Sequence, residues 1–155
     1  MDLAGRVCVV TGASSGIGRQ VALDLASQGA KLCLAARRED RLEALATELG
    51  GNDEGHTWQR ADVSNRDDVR ALVDHVERTY GACHVLVNNA GFGINRAFEG
   101  PASIDDVEKI MATNFLGAVY ATGEFLSLLE RSAPAHVVNV ASMAGRVAGG
   151  SPSSY

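Results

Sequence analysis

The chain has 155 residues and a formal net charge of −5, from 14 basic and 19 acidic side chains. Hydrophobic residues make up 46% of the chain and charged residues 21%, a balance typical of one soluble globular domain with its own core. No basic run could neutralise a nucleic-acid backbone or an anionic membrane, so neither is an expected partner. No apolar stretch approaches the roughly 20 residues of a membrane span, and the amino terminus lacks a signal pattern. We therefore expect a cytoplasmic protein.

Apolar runs alternate with helical spacing along the chain. Residues 6–11 form a valine-rich run, and after a glycine turn apolar residues recur at four-residue spacing up to Gly29. This pattern predicts a strand followed by a helix. It repeats with a strand over residues 31–36 and a helix that stops at the glycine pair 50–51, then with a strand over 57–61 and a helix over 66–80. Residues 85–88 form a nearly continuous apolar run that predicts a fourth strand.

A loop over residues 89–102 precedes helical spacing from 104 to about 132. The apolar stripe of this helix consists of Phe115, Val119, Thr122, Leu126 and Leu129. A proline at 134 ends the helix, and residues 136–140 predict a fifth strand. Strands that are apolar on both faces and alternate with helices predict a doubly wound α/β parallel sheet, in a single domain over residues 1–155.

The cysteines and histidines suggest no metal chemistry. Three cysteines without a Cys-x-x-Cys pair predict buried, reduced thiols, namely Cys8, Cys33 and Cys83. The four histidines show none of the short spacings that zinc sites use. We expect no metal site.

A glycine-rich turn joins the first strand to the first helix. Its glycines, Gly12, Gly16 and Gly18, allow the backbone to approach a ligand, and Ser14 and Ser15 add hydroxyl donors. The free N–H groups of the helix start lie beside the turn, which suits a pyrophosphate. A tight turn without a ligand is the alternative for this segment taken alone.

The end of the second strand bears on the choice of cofactor. In dinucleotide folds an acidic residue at this position binds the ribose 2′-hydroxyl, whereas a nearby arginine accommodates a 2′-phosphate. Ala36 occupies the position here, and Arg37 offers a guanidinium fork. NADP(H) is therefore favoured, with NAD(H) as the alternative. A solvated charge run at a helix start is the other interpretation of residues 37–40.

The glycine spacing resembles the TGxxxGIG fingerprint of the short-chain dehydrogenases/reductases, and later segments agree with that family in order and spacing. Asp62-Val63 resembles the pair that meets the adenine, and residues 88–91 match the family's NNAG. The resemblance runs from residue 5 to residue 155. It implies a Rossmann-type fold and these cofactor-binding residues: Gly12, Ser14, Ser15, Gly16, Ile17, Gly18, Arg37, Asp62, Val63, Asn89, Ala90 and Gly91.

The resemblance also implies hydride transfer between a nicotinamide and the carbonyl or alcohol carbon of a small molecule. Tyr155 would donate or accept the hydroxyl proton, Ser142 would hydrogen-bond the substrate oxygen, and Asn114 would position a water in a proton relay. An asparagine inside a helical run is locally unfavourable, which itself indicates a functional position. Relatives form dimers or tetramers through the long helix around residues 115–129. Acyl thioesters, sugars, steroids and small ketones all fit the motifs.

Two departures from the family pattern bear on activity. Many NADP-dependent relatives carry a basic residue in the glycine turn, where this chain has Ser15. The family also places a lysine four residues after the tyrosine, followed by further strands and helices, whereas this sequence ends at Tyr155. A free tyrosine titrates at about 10, and a nearby positive charge lowers that pKa. We therefore expect the chain as written to be an N-terminal portion with little or no turnover.

Two other classes of function compete with this interpretation. A non-catalytic dinucleotide-binding or sensing protein would have no need of Asn114, Ser142 and Tyr155, which argues against it. An α/β enzyme with another adenosine cofactor, such as a methyltransferase, is disfavoured by the glycine spacing. Thermal stabilisation by NADPH or by a methyl donor would separate these classes, because only a bound ligand stabilises the fold.

Overall fold

Five parallel strands form the sheet that the alternating pattern predicts. The structure is a computed structural model that describes residues 2–94 and 100–143. The sheet order is β3-β2-β1-β4-β5, and every neighbouring pair is parallel. The strands are β1 Val7–Thr11, β2 Lys31–Ala36, β3 His56–Arg60, β4 Val85–Asn88 and β5 His136–Asn139. The predicted doubly wound α/β fold is confirmed. Strands β1 to β3 extend the sheet in one direction and β4 and β5 in the other, so the strand order reverses between β1 and β4.

Helices cover both faces of the sheet and enclose two apolar cores. They are α1 Gly16–Ser27, α2 Glu39–Glu48, α3 Arg66–Tyr80, α4 Pro101–Met111 and α5 Gly117–Arg131. Helices α1 and α2 bury side chains in one core, and α3 and α5 bury theirs in the other. Within the described part of the chain, no helix is long and apolar enough to cross a membrane.

Side chains of β2 alternate strictly between the two cores. Cys33 and Ala35 lie in the core below α3 and α5, whereas Leu34 and Ala36 lie in the core below α1 and α2. This follows from the pleat of an extended strand, which sends successive side chains to opposite faces. The same alternation sets the side-chain directions of the residues that directly follow β2.

The long helix predicted from residue 104 to about 132 is interrupted. It begins at Pro101, because the fixed φ of proline and its missing N–H suit the first helical position. A π-helical turn, Ala112–Leu116, then separates α4 from α5. The predicted apolar stripe does not face the core as a unit, since Phe115 is 55% exposed whereas Leu129 is buried. The third strand begins and ends one residue earlier than predicted.

The three cysteines are buried free thiols, as the sequence predicts. Burial raises the pKa of Cys8 to about 11 and that of Cys33 to about 12. It also raises the pKa of Cys83 to about 12. Thiols with such pKa values stay protonated at neutral pH and are poor nucleophiles, so they serve as small core side chains.

Three histidines have pKa values below the ordinary value of a histidine. Burial lowers the pKa of His56, His75 and His84, and the Arg6 charge adds to the effect at His84. The Nδ1 atom of His84 accepts a hydrogen bond from the Val7 N–H at 3.1 Å, which requires that nitrogen to be unprotonated. The unfolded chain therefore binds more protons than the folded chain in the range just below a pKa of about 6.5.

We expect the free energy of unfolding to be highest above pH 6.5 or so and to fall as the pH decreases through the range in which unfolded histidines protonate. Urea unfolding between about pH 7.5 and about pH 5.5 measures this slope. The His84→Asn variant keeps an acceptor near the Val7 N–H without a titrating ring, so its slope should be shallower. Equal slopes for the variant and the wild type would contradict a contribution from His84.

Candidate cofactor-binding and active site

The site lies where the carboxyl ends of the parallel strands meet. The order of the sheet reverses between β1 and β4, and ligands of open α/β sheets bind at such a switch point. Most of the residues predicted from the sequence follow the strands directly at this edge. Gly12 follows β1, Arg37 follows β2, Asp62 follows β3 and Asn89 follows β4.

The threonine that ends β1 ties the glycine turn to the segment after β4. The Thr11 hydroxyl donates to the Val87 carbonyl at 3.2 Å and accepts from the N–H groups of Asn89 and Ala90 at 3.0 and 3.1 Å. In return, the Asn89 amide Nδ2 donates to the carbonyls of Thr11 and Gly12 at 3.0 and 3.4 Å. The two chain segments at the switch point are therefore fixed to one another. Thr11 was not among the residues predicted for the site.

Two glycines of the turn allow this close approach. A Cβ atom on Gly18 would lie 2.3 Å from Asn89 Nδ2 and 2.5 Å from the Gly12 carbonyl oxygen. One on Gly12 would lie 2.8 Å from the Cα of Ala90. Real Cβ atoms do not come this close to other heavy atoms, so only hydrogen fits at either position.

The third glycine faces open space. Gly16 has φ +57°, and nothing lies within 4 Å of the position that its Cβ would occupy. No side chain caps α1 at Ser15, and its first turn holds no acidic residue. The start of α1 therefore has no side-chain cap and an open surface at Gly16, which fits a pyrophosphate. Ile17, predicted to bind the cofactor, is 64% exposed on the same turn, whereas Gly18 is buried.

An arginine after β2 holds both serine hydroxyls of the turn. Arg38 donates from Nε and Nη2 to Ser14 Oγ at 3.2 and 2.8 Å, and from Nη2 to Ser15 Oγ at 2.7 Å. Arginine has only donors, so both hydroxyls accept from it and keep their own protons to donate elsewhere. The result is a group of charged and neutral donors beside the glycine turn, which is suited to an anion.

Arg37 and Arg38 point to opposite sides of the sheet. Arg38 continues the direction of Ala36 toward the α1 side, whereas Arg37 extends toward Asp62, with Nη1 3.9 Å from Oδ2. Arg37 was predicted as the 2′-phosphate ligand, and Arg38 only as part of a charge run. The pleat of β2, read two residues past its end, would have identified Arg38 as the arginine that reaches the turn.

Asp62 is held in its ionised form. Burial opposes ionisation, but hydrogen bonds from the N–H and hydroxyl of Ser64, at 3.0 and 2.6 Å, outweigh it together with the charges of Arg37 and Arg60. The pKa of the Asp62 carboxyl therefore lies below its ordinary value. The side chain of Val63 is buried in the core, where it packs against α5 at Gly117.

Asn114 lies in the π-helical turn and clamps the chain after β4. Its Oδ1 accepts from the Phe92 N–H at 3.0 Å, and its Nδ2 donates to the Phe92 carbonyl at 2.9 Å. Gly91 lies beside it, since a Cβ there would come within 3.2 Å of Asn114 Oδ1. Both polar atoms of this side chain are thus occupied by backbone. Its predicted role in a water relay stays a prediction.

A second asparagine connects β4 to the elements beside it. The buried Asn88 donates from Nδ2 to Thr122 Oγ1 at 3.0 Å and to Asn139 Oδ1 at 2.9 Å. These bonds join β4, β5 and α5 at the carboxyl edge of the sheet. Ser142 follows three residues beyond the end of β5 and is exposed, whereas Tyr155 lies outside the described residues. Over the described ranges, no group of three or more histidine, cysteine or acidic side chains could hold a metal ion.

Fold and site define an α/β protein with a dinucleotide-type site at its switch point. Residues 6–155 match the family described as short chain dehydrogenase. The chain belongs to this family of oxidoreductases, whose fold carries a nicotinamide cofactor.

The relatives include an uncharacterized oxidoreductase of Staphylococcus saprophyticus, 36% identical over 94% of this chain and 58% of its own length. The 11-beta-hydroxysteroid dehydrogenase 1A of Arabidopsis thaliana is 42% identical over 84% of this chain and 38% of its own. This chain therefore spans about half the length of the relatives that it matches.

Solved structures of the family superpose well. A short chain dehydrogenase/reductase from Burkholderia phymatum in complex with NAD has a TM-score of 0.90 and 35% identity, covering 98% of this chain and 54% of that one. An alcohol dehydrogenase from Thermococcus sibiricus complexed with 5-hydroxy-NADP has a TM-score of 0.76 and 36% identity, covering 82% of this chain and 54% of that one.

Proposed function

We propose that this protein is an NADP(H)-dependent oxidoreductase that transfers hydride between the nicotinamide and the carbonyl or alcohol carbon of a small molecule. The observation that carries the cofactor preference is the set of three hydrogen bonds from Arg38 to the hydroxyls of Ser14 and Ser15. A 2′-phosphate needs charged donors at this place, whereas a free 2′-hydroxyl is met by an acidic residue, and Ala36 stands where that acid would be.

Separate groups of residues would bind separate parts of the dinucleotide. The N–H groups at the start of α1 would hold the pyrophosphate, and Arg38 with its two serines would hold the 2′-phosphate. Asp62, whose pKa lies below its ordinary value, would accept a hydrogen bond from the amino group of the adenine. The bound dinucleotide supplies or accepts the hydride. Asn114 holds the chain after β4 in place beside the site.

The proton steps belong to Ser142 and Tyr155. In this proposal the Ser142 hydroxyl donates to the substrate oxygen, and the Tyr155 hydroxyl exchanges a proton with it as the carbon changes oxidation state. A tyrosine with a pKa of about 10 performs this exchange at neutral pH only when a positive charge stabilises its phenolate. The proposed proton exchange therefore requires a positive charge near Tyr155.

The names of the relatives support hydride transfer with a nicotinamide cofactor. They do not favour NADP(H) over NAD(H), so the proposed preference for NADP(H) rests on the residues of this chain. One structural neighbour is complexed with NAD and another with 5-hydroxy-NADP. The hydroxysteroid dehydrogenases of Arabidopsis thaliana support a ketone or secondary alcohol on an apolar skeleton as the substrate class. Turnover of a panel of steroid ketones and small ketones with NADPH tests that class.

Removing Arg38 should weaken NADPH binding much more than NADH binding. Hydrogen bonds to charged groups contribute about 1.5–3 kcal/mol, so Arg38→Ala should raise the Kd of NADPH roughly 10- to 100-fold. Titrations followed by nucleotide fluorescence would measure both dissociation constants in the wild type and the variant. The Kd of NADH should change little, because it lacks the 2′-phosphate.

The matched control is Arg37→Ala, which removes a neighbouring guanidinium that does not contact the turn. Arg37→Ala should weaken the binding of NADPH and of NADH to a similar extent, and by less than Arg38→Ala weakens NADPH binding. A wild-type protein that binds NADH as tightly as NADPH would overturn the proposed preference. A loss of NADPH selectivity in Arg37→Ala alone would instead return the role to Arg37.

The same proposal covers assembly and cellular context. We propose a homodimer or homotetramer of single-domain subunits in the cytoplasm. Exposed apolar side chains on the π-helical turn and α5, Phe115, Val119 and Leu126, support an interface there. Charged residues in place of Phe115 and Leu126 should yield a monomer by sedimentation analysis. A wild-type protein that sediments as a monomer would contradict the assembly.

A further inference from the structure

A groove of about 320 Å³ runs between α1 and α2 and begins at the glycine turn. Ser14, Ser15, Gly16 and Arg19 line one wall. The other wall belongs to α2 and consists of Arg41, Ala44, Leu45 and Glu48. The serines at its mouth are the two that Arg38 holds. The groove is therefore continuous with the donor group assigned to the 2′-phosphate.

The helical repeat explains which side chains of α2 face α1. Residues 41, 45 and 48 follow one another at spacings of four and three, which places them on one face of the helix. Leu45 anchors that face because it is buried in the core beneath α1 and α2. Arg38, at the N-cap, lies three residues before Arg41 and thus just below it on the same side. Arg41 lines the groove on this face of α2.

The charges in the groove are unequally paired. Arg19 forms an ion pair with Glu48 across it, so these two side chains largely neutralise each other. Arg38 is engaged by the serine hydroxyls. Arg41 has no hydrogen bond or ion pair with any residue in the described ranges 2–94 and 100–143. It is the guanidinium of this groove that a ligand can engage without first breaking an existing contact.

We propose that Arg41 is a second specificity-determining residue for the 2′-phosphate, acting together with Arg38. This inference rests on the proposed NADP(H) dependence and extends it to α2. A nucleotide 2′-phosphate presents three acceptor oxygens and nearly two negative charges at neutral pH. Arg38, Ser14 and Ser15 would hold it from the turn side. Arg41, which lines the groove beside these serines, would supply a second guanidinium to its remaining oxygens.

The Arg19–Glu48 pair has a part in the same arrangement. An unpaired carboxylate in the groove would repel a dianion, and Arg19 cancels that charge. After this pairing, Arg41 is the unpaired charge that lines the groove, and Arg38 adds its charge at the serines of the mouth. Two guanidinium groups and two hydroxyls then match a phosphate better than a 2′-hydroxyl, which offers a single polar atom and no charge.

The test uses two small probes that differ only in the 2′-phosphate, adenosine 2′,5′-bisphosphate and adenosine 5′-monophosphate. Isothermal titration of the purified protein gives a Kd for each. We expect Arg41→Ala to weaken adenosine 2′,5′-bisphosphate binding about tenfold and to leave adenosine 5′-monophosphate unchanged. Arg41→Lys should recover part of the loss, because an ammonium keeps the charge without the bidentate fork. Arg78→Ala, which removes an exposed arginine on α3, is the matched control.

The outcomes separate this inference from the proposed function. If the wild type binds the bisphosphate no better than the monophosphate, the NADP(H) preference itself fails. If the wild type discriminates but Arg41→Ala discriminates equally well, the preference stands and the role of Arg41 is overturned. Thermal melting of each variant without ligand checks that the fold is intact. A variant that melts early is replaced by Arg41→Gln, for which the same two Kd values decide.

Discussion

Alanine in place of Gly18 is expected to disrupt the site and to destabilise the fold by about 3 kcal/mol or more. The new methyl group would lie 2.3 Å from Asn89 Nδ2 and 2.5 Å from the Gly12 carbonyl oxygen. Neither neighbour can retreat freely, because the Asn89 amide is bonded to the carbonyls of Thr11 and Gly12. Relief of the clash therefore breaks these bonds or shifts α1 away from the turn.

Urea unfolding and NADPH titration of Gly18→Ala measure the two consequences. Gly123→Ala is the matched control, since nothing lies within 4 Å of a Cβ at that position on α5. There alanine should be neutral or should stabilise the helix by up to about 1 kcal/mol. A Gly18→Ala protein with wild-type stability and NADPH affinity would show that the turn is not seated against Asn89 as described.

The three inner strands were predicted well because the middle of a parallel sheet is buried on both faces. Such strands are continuous apolar runs in the sequence, and β1, β2 and β4 are buried along nearly their whole length. The bounds of α3 were also predicted correctly, since Asn65 caps its start and Gly81 ends it in a left-handed conformation. The strand β3 lies at an edge of the sheet and is only partly buried, so its pattern was weaker.

The π-helical turn before α5 is the feature that sequence periodicity could not predict. A π turn adds one residue to a helix, which shifts every later residue by about 100° around the axis. The stripe from Phe115 to Leu129 was assigned as if the helix were regular, and the structure exposes most of it. The unfavourable Asn114 in mid-helix was the one local signal of this irregularity. The hydrogen bonds of its side chain to the Phe92 backbone explain why an asparagine lies at this position in the helix.

The site residues that follow the strands were predicted from their place in a motif. The residues whose side chains bond to a distant segment of the chain were not predicted. Thr11 and Arg38 join segments that are distant in the chain, so no local pattern marks them as partners. Arg38 could have been predicted from the sequence, because the alternation of side chains along β2 places it on the side of the glycine turn. Thr11 could not, because the N–H groups that it satisfies belong to residues 89 and 90 and become its neighbours only in the folded sheet.

The contribution of Thr11 can be isolated by replacing it with valine, which has the same shape and no hydroxyl. Thr11 is 2% exposed, and the change leaves the N–H groups of the half-buried Asn89 and Ala90 without their acceptor. Each unsatisfied group costs about 1–3 kcal/mol, and we expect Thr11→Val to lose roughly 3 kcal/mol of unfolding free energy. Thr11→Ser keeps the hydroxyl and should lose about 1 kcal/mol, from the missing methyl group.

The comparison of valine with serine also tests whether this hydroxyl supports cofactor binding. The bonds of Thr11 position the Asn89 side chain, which in turn fixes the Gly12 carbonyl and the glycine turn. Thr11→Val should therefore weaken NADPH binding at temperatures where the variant is still folded, while Thr11→Ser should bind normally. If valine lowers stability and leaves the Kd of NADPH unchanged, the turn holds its shape through α1 alone. If valine changes neither quantity, the two N–H groups find other acceptors, and the link between the segments lies in the Asn89 side chain.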